Sequence, residues 1–286
     1  MKRVTCLLIG GLRCIFSFTA VFAGELDVES TRSAYNPHSL HPIPEENILI
    51  KNRIWRHIDL KEKINKPFFP HKEEITKVII EGVEAGLLIA YLDEDFTMPM
   101  TKEEFFEKLK LPEVDHFSEE DKALEFADDD DWQDKTQQET SAIKDDKRSD
   151  YFLPSQVSIL ELVEDWIFDK VRSIQLYDIQ SVKLMIPADQ FETGLQKEIG
   201  ILKYKDLAAY FDEKGTTWVN VKNSAGNIKM TEAFALRLFS SSIVKLENPD
   251  DNTIADIYNK TPKASAIASK ELEEALLEKE YFLWSP

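Results

Sequence analysis

The segment that decides the fold runs from Val157 to Ile186 and reads VSILELVEDWIFDKVRSIQLYDIQSVKLMI. Its first part alternates apolar side chains around Glu161, which is the two-residue period of a strand with one buried face. Phe168–Ser173 interrupts this pattern with charged residues, and Ile174–Ile186 resumes it. The segment therefore predicts two strands joined by a tight turn.

Downstream of this predicted hairpin, short elements of both types follow one another. The pattern predicts a short helix over Lys205–Phe211, a strand over Thr217–Val221, a turn over Asn223–Asn227, a helix capped by Thr231 that runs toward Phe239, and a long amphipathic helix over Ala264–Phe282. No internal repeat accompanies these elements.

Upstream, a first block of mixed elements begins near Glu45. The isoleucines of Ile48–Leu60 fit both a strand and a helix, so their spacing leaves this element open. Apolar residues at three-four spacing then predict a helix over Ile75–Ala85, with Gly86 at its C-terminal end. The apolar run Leu87–Leu92 predicts a buried strand.

A segment poor in core-forming residues separates the two blocks. Before it, Thr101 and Glu104 form a capping box that predicts another short helix. Residues 112–150 contain a run of four aspartates, which predicts an acidic flexible linker or loop. A calcium loop is the alternative, but the alternating acids, central glycine and distal glutamate are missing. The fold class is therefore α+β, with mixed helices and short antiparallel strands in two blocks, 45–111 and 151–286, separated by a long acidic loop.

The first 23 residues have the three parts of a secretory signal peptide. A basic start precedes an apolar run, and Val21-Phe22-Ala23 leads into a cleavage point. Arg13 interrupts the apolar run, which disfavours a membrane span. We therefore expect residues 1–23 to be removed and the proline-rich residues 24–44 to form an extended N-terminal segment.

Cysteine placement and net charge exclude several classes of function. Cys6 and Cys14 both lie in the leader, so the exported chain would have no disulfide, thiolate nucleophile or cysteine-bound zinc. Arg13 occupies the small-residue position that lipidation of Cys14 requires. With 35 basic and 53 acidic residues, the formal net charge of −18 disfavours nucleic acid and anionic lipid as ligands. A partner with basic patches fits better.

Candidate catalytic groups are sparse. His38 and His41 form a close pair, but nothing around them would orient imidazoles, so we predict no metal site. His57 and Asp59 resemble half of a general-base pair, yet no nucleophile motif completes a triad. Glu164–Lys170 combines three carboxylates, two aromatics and a lysine. It could cleave a glycoside or form an aromatic-anchored corner that meets a basic partner, and we favour the corner.

Three stretches of the chain, in order, resemble the motifs of the GldN/PorN family. They are Ile54–Pro70 (IWRHIDLKEKINKPFFP), Glu164–Ser173 (EDWIFDKVRS) and Arg237–Lys245 (RLFSSSIVK). The resemblance extends from about Asn47 to Trp284. The family serves gliding motility and type IX secretion in Bacteroidetes, and its members also begin with a plain signal peptide.

The resemblance implies a non-enzymatic structural component without a cofactor or metal. It implies a periplasmic protein, associated with the outer membrane through a lipoprotein, with which many copies form a ring. The ring would contact the periplasmic part of an inner-membrane-anchored secretion component. No nucleic acid and no direct membrane span are expected. The motif residues are expected to pack the fold or a partner interface: Trp55, Asp59, Asn65, Glu164, Asp165, Trp166, Phe168, Asp169, Lys170, Arg172, Arg237, Phe239, Ser240 and Lys245.

Two other functions stay open at this point. A periplasmic carboxylate-dependent hydrolase would require a cleft in which His57, Asp59, Glu62 or the Glu164 group converge with room for substrate. A free periplasmic chaperone would require an exposed apolar groove and loose association with many clients.

Overall fold

One six-stranded antiparallel sheet organises the fold. A computed structural model describes residues 35–112 and 150–284, except 192 and 259–260. The strands are β1 (Ile48–Asp59), β2 (Ala90–Tyr91), β3 (Ile159–Asp169), β4 (Ile174–Ile186), β5 (Lys197–Lys203), β6 (Thr217–Trp218), β7 (Ile228–Lys229) and β8 (Ser242–Leu246). The helices are α1 (Ile75–Glu84), α2 (Lys102–Lys108), α3 (Tyr204–Lys214), α4 (Met230–Ala235), α5 (Ile254–Ile257) and α6 (Pro262–Trp284). The sheet order is β2-β5-β4-β3-β1-β8, and β6 pairs with β7. The α+β class is therefore confirmed.

The β3–β4 hairpin forms where the sequence predicts two strands and a turn. Its turn is stabilised by Asp169, whose Oδ1 accepts hydrogen bonds from Val171 N at 2.8 Å and Arg172 N at 3.2 Å. Ser173 adopts a left-handed conformation with φ 52° before β4 begins. These two strands, of 11 and 13 residues, are longer than the short strands expected.

The element that isoleucine spacing left open is a strand, β1. It pairs antiparallel with β3 from Ile48 to Asp59 and with β8 on its other side. Cross-strand pairing decides in favour of the strand, because a helix here would leave the backbone groups along one edge of β3 without partners. Strands from both sequence blocks therefore share one sheet.

One face of the sheet carries the hydrophobic core, in two clusters. The larger cluster joins β1, β3, β4 and β5 to α1, α3 and α4, and includes Ile58, Leu60, Phe68, Leu160, Leu162, Leu184, Phe211 and Phe234. The smaller cluster lies beneath α6 and consists of Ile54, Trp166, Ile243, Ile254, Ala268 and Leu276. Both clusters are built from alternate residues of β1 and β3, as expected for one buried face.

Four predicted helices form close to their predicted positions, and one of them is α3, which contains the predicted segment Lys205–Phe211. α1 ends before Gly86, whose φ of 72° suits a residue without a β-carbon. α2 begins at the capping box of Thr101 and Glu104, with both reciprocal bonds present. The long C-terminal helix α6 extends two residues beyond the prediction at each end.

Three local predictions are wrong. Only Ala90–Tyr91 of the predicted strand Leu87–Leu92 pairs with β5, and Leu87 and Ile89 are more than half exposed. The strand predicted over Thr217–Val221 stops at Trp218, because only two residues pair with β7.

The third correction concerns the start and end of α4. Its N-cap is Lys229, not Thr231, and the helix ends at Ala235 instead of running toward Phe239. Thr231 lies in the first turn, where its hydroxyl donates to Asp212 at 3.1 Å. The helix ends where Arg237 enters the left-handed region with φ 52°.

Several predictions lie outside the described residues. They are the signal peptide at 1–23, the first part of the extended segment, and the acidic loop apart from its ends. Residues 35–44 of the extended segment are described: the backbone N–H of Tyr35 donates to Ile43, and Ile43 is buried. None of the helices in the described part of the chain combines the length and apolar composition needed to cross a membrane.

Candidate interaction site on the three motifs

The central motif places its two leading acids on opposite faces of the sheet. Glu164 lies opposite Ile54, and Asp165 lies opposite Arg53, in the β1–β3 ladder. Because successive side chains of a strand alternate between faces, Glu164 enters the face that holds the hydrophobic core. Both carboxylates are fully buried, so each needs cationic partners on its own face of the sheet.

Glu164 is held by two arginines. Arg56 Nε lies 2.6 Å from Glu164 Oε1, and Arg237 donates from Nη1 to Oε2 at 2.6 Å and from Nη2 to Oε1 at 3.1 Å. The bidentate geometry of Arg237 matches a carboxylate. Arg56 also donates to Glu273 on α6 at 2.8 Å. Two positive and two negative charges therefore form a compact group, here called the Glu164 cluster.

The Glu164 cluster lies between the two hydrophobic clusters. On β1, Arg56 separates Ile54 of the smaller cluster from Ile58 of the larger one, and on β3 Glu164 separates Leu162 from Trp166. A buried ion group seldom adds net stability over apolar packing, but removing one member leaves an unpaired buried charge. The cluster therefore fixes the positions of α6 and of the third motif relative to the sheet.

Arg237 also packs against aromatic rings. Its guanidinium carbon lies 4.1 Å from the ring centroid of Tyr177 and 5.1 Å from that of Phe239. Burial is the main cause that raises the pKa of Tyr177. Phe239 in turn contacts Phe68 and Phe234 in the larger core. The third motif is thus attached to both the ion group and the core.

Asp165 anchors a second ion group on the opposite face. Arg53 donates to its two oxygens at 2.8 and 3.2 Å, and Lys51 Nζ lies 3.4 Å away. The hydrogen bond to Asp165 raises the pKa of Arg53. Cross-strand from Asp165, Asp178 accepts a hydrogen bond from the hydroxyl of Tyr35, whose pKa is raised mainly by burial.

Trp55 lies on the same face and joins two charged groups. Its Nε1 donates to both carboxylate oxygens of Glu94 at 3.0 Å, and Lys245 Nζ lies 4.2 Å from its ring centroid. Lys245 forms an ion pair with Asp251. Cations are attracted to the negative face of an indole ring, so Trp55 and Lys245 bind β1 to β8 through their side chains.

A third ion group continues along this face from Glu94. Lys183 Nζ contacts Glu161 at 2.8 Å, Glu198 at 3.2 Å and Glu94 at 3.4 Å, and His57 Nε2 lies 2.7 Å from Glu161. Burial alone would raise the pKa of Glu161, but the bond with His57 and the charge of Lys183 outweigh it and lower this pKa to about 2. For Lys183, burial alone would lower the pKa, but the negative charge of Glu161 outweighs burial and raises it.

Asn65 links the first motif to the third. Its Nδ2 donates to the carbonyls of Asp59 at 2.7 Å and Ser240 at 2.9 Å, and its Oδ1 accepts from Ser240 N at 2.8 Å. Asp59 Oδ1 accepts from the Lys61 backbone at 2.8 Å, which fixes the end of β1. Asn65 is fully buried, so all three bonds are shielded from water.

The remaining motif residues shape the hairpin. Trp166 is fully buried in the smaller cluster and Phe168 is almost fully buried. Asp169 stabilises the turn and contacts Arg172 Nε at 3.7 Å, while the backbone N–H of Lys170 donates to Asn47 at 2.9 Å. The side chains of Lys170 and Arg172 are exposed. The structure therefore brings most predicted residues into packing, hydrogen bonds or ion pairs, with the side chains of Lys170 and Arg172 at the surface.

Sequence reasoning missed the partners of the acids, above all Arg56, Arg53, Glu94, Tyr177 and Glu273. A signal was present for Arg56, because it interrupts the isoleucine series of β1 at a core-facing position. Glu164 interrupts the apolar series of β3 in the same way. Opposite charges at equivalent apolar positions of two strands indicate a buried ion pair.

The arrangement does not bring the hydrolase candidates together. His57 and Asp59 lie on one face of the sheet, whereas Glu164 lies on the other and is held by Arg56 and Arg237. Among residues 35–112 and 150–284, no three histidine or acidic side chains are grouped as metal ligands would be. His38 packs edge-on against Phe96, with ring centroids 5.2 Å apart.

Comparison with known proteins agrees with the three motifs. The model of the family described as gliding motility associated protein GldN matches residues 43–285. The chain belongs to the GldN family. No curated protein matches the chain. GldN membership assigns it a role related to gliding motility and secretion. Within this GldN chain, Arg56, Glu164 and Arg237 come from the first, second and third motif and meet in one cluster.

Proposed function

We propose that this GldN protein is a non-enzymatic structural component of the type IX secretion and gliding apparatus, acting in the periplasm. It assembles in many copies with an outer-membrane lipoprotein into a ring, which contacts the periplasmic part of an inner-membrane-anchored component. The observation that carries this proposal is the Glu164 cluster, in which residues of all three family motifs neutralise one another.

A catalytic carboxylate needs access to substrate and a pKa suited to proton transfer. Glu164 is fully buried, and three donors from two guanidinium groups occupy its oxygens. Asp165 is equally buried and is bound by Arg53. Family motifs that build internal ion pairs support a scaffold whose rigid shape is its function.

The test is purification of the tagged chain from membranes of its native host after mild cross-linking. We expect an outer-membrane lipoprotein and further copies of the chain in the cross-linked product. Recovery of the chain alone, in a free periplasmic fraction, would contradict the proposal. Recovery with many unrelated unfolded clients would instead support the chaperone alternative.

A second experiment separates a structural role from catalysis. Glu164→Gln should reduce secretion only as far as it reduces the amount of folded protein, whereas Glu273→Gln, which removes one exposed partner of Arg56, should leave secretion close to normal. A Glu164→Gln protein with wild-type abundance and stability, yet without secretion, would indicate chemistry at Glu164.

A further inference from the structure

A pocket of about 450 Å³ lies beside the end of β1, outside the three ion groups. Its apolar lining includes Pro67, Phe69 and Pro70 of the first motif together with Val219 and Val221. Val221 is 75% exposed although it is a β-branched apolar residue. A concave apolar surface of this size accepts one large side chain.

The backbone around this pocket is well fixed. The N–H of Val219 donates to the carbonyl of Pro67 at 3.1 Å, and that of Phe69 donates to Lys66 at 2.9 Å. Asn65, directly before Lys66, is fully buried and bonded to Ser240. The pocket is therefore preformed, which lowers the entropic cost of binding.

The rim of the pocket is basic in a chain whose net charge is −18. Lys61, Lys66 and His71 line it, and no carboxylate does so within the described residues. Lys61 contacts Asp189 at 3.9 Å between two exposed side chains, a weak pair that a ligand can replace. Lys66 has no ion-pair partner in the part of the chain that the structure describes. We call this site the lysine-rimmed pocket.

We propose that the lysine-rimmed pocket docks an acidic peptide segment of a partner protein, with one large apolar side chain of that segment inserted in the pocket. Carboxylates on either side of the inserted residue would pair with Lys61 and Lys66. Apolar burial would supply most of the affinity, and the charges would supply selectivity and speed of association.

A peptide suits this pocket better than an anionic membrane. Peripheral proteins bind lipid through protruding apolar side chains and a broad basic surface. Here the apolar surface is concave, and the acidic chain as a whole would be repelled from anionic lipid. A partner segment bound in the pocket lies close to Lys61 and Lys66, so these cations act on its carboxylates more strongly than the distant acidic residues do.

The probe is a short peptide with a central phenylalanine flanked by glutamates and aspartates, and its affinity for the full chain is measured by fluorescence anisotropy. Lys61→Glu/Lys66→Glu should weaken binding about tenfold or more, and should improve binding of the matching peptide in which lysines replace the acids. Lys263→Glu/Lys270→Glu, an equal charge change on exposed residues of α6, should alter affinity less than about twofold.

Three results would overturn the proposal: equal weakening by both double variants, equal affinity for the acidic peptide with serine in place of phenylalanine, or binding to vesicles of anionic phospholipid that Lys61→Glu/Lys66→Glu abolishes. Circular dichroism and urea unfolding establish that each variant is folded. The inference extends the proposed assembly role but is tested apart from it, because peptide binding does not require the envelope complex.

Discussion

Asn65 and Ser240, which lie 175 residues apart in the sequence, hold each other through two reciprocal hydrogen bonds. The Asn65 amide donates to the Ser240 carbonyl and accepts from the Ser240 N–H. A third bond to the carbonyl of Asp59 uses its remaining donor. One fully buried side chain therefore fixes the end of β1 against the segment that leads into β8.

Asn65→Ala should lower the free energy of unfolding by about 2–4 kcal/mol, because three backbone groups lose their buried partner. Urea unfolding followed by tryptophan fluorescence measures the change. Asn223→Ala is the matched control: Asn223 also bonds to a backbone N–H, but in an exposed turn, and should cost less than about 1 kcal/mol. Equal effects of the two substitutions would show that the Asp59–Asn65–Ser240 link is not structural.

The Glu164 cluster predicts a steep difference between two glutamates that bind the same arginine. Glu164→Gln leaves Arg56 and Arg237 without a buried counter-charge and should cost about 3–5 kcal/mol. Glu273→Gln removes a partner whose side chain is 38% exposed and should cost less than about 1 kcal/mol. Chemical denaturation of both variants checks the order, and a larger loss for Glu273→Gln would contradict the model of the cluster.

Much of the fold follows from local sequence. The β3–β4 hairpin, α1 with Gly86, and the capping box of α2 depend on neighbours in the chain, and these predictions are confirmed. Where the outcome depends on distant partners, local patterns are insufficient. Ile48–Leu60 became a strand only because β3 and β8 flank it, and Leu87–Leu92 failed as a strand because β5 offers it only two partners.

The candidate site also has a part that the sequence predicts and a part that it does not. The motif residues themselves could be named from the sequence, and so could the expectation that Trp166 packs the fold. Their partners could not, since Arg237 reaches Glu164 across 73 residues and Glu273 reaches Arg56 across 217. The lysine-rimmed pocket was also not predictable, because its two halves come from the first motif and from residues 219–221.

The two tryptophans Trp55 and Trp218 give a matched test of a buried indole N–H. Trp55→Phe removes the donor to Glu94 and should cost about 1.5 kcal/mol more than Trp218→Phe. The Nε1 of Trp218 is buried without a hydrogen-bond partner among the described residues, so its removal relieves an unpaired polar group. Both substitutions lose similar ring volume, which cancels in the comparison. Thermal and urea unfolding should agree on the sign.

The ion group around Glu161 predicts acid sensitivity. The pKa of Glu161 falls from the ordinary glutamate value of 4.5 to about 2 in the folded state, so the unfolded chain takes up this proton first as pH falls. Its contribution is complete above about pH 4.5 and is lost between about pH 4.5 and 2. A shift of this size corresponds to roughly 3 kcal/mol.

Comparison of the wild type with Glu161→Gln isolates this contribution from the other carboxylates. The difference between their free energies of unfolding, measured in urea at a series of pH values, should be constant near neutrality and should shrink by up to about 3 kcal/mol toward pH 2. Glu198→Gln is the control, since Glu198 contacts the same Lys183 but is 35% exposed. A difference that does not change with pH would mean that Glu161 is not held ionised by His57 and Lys183.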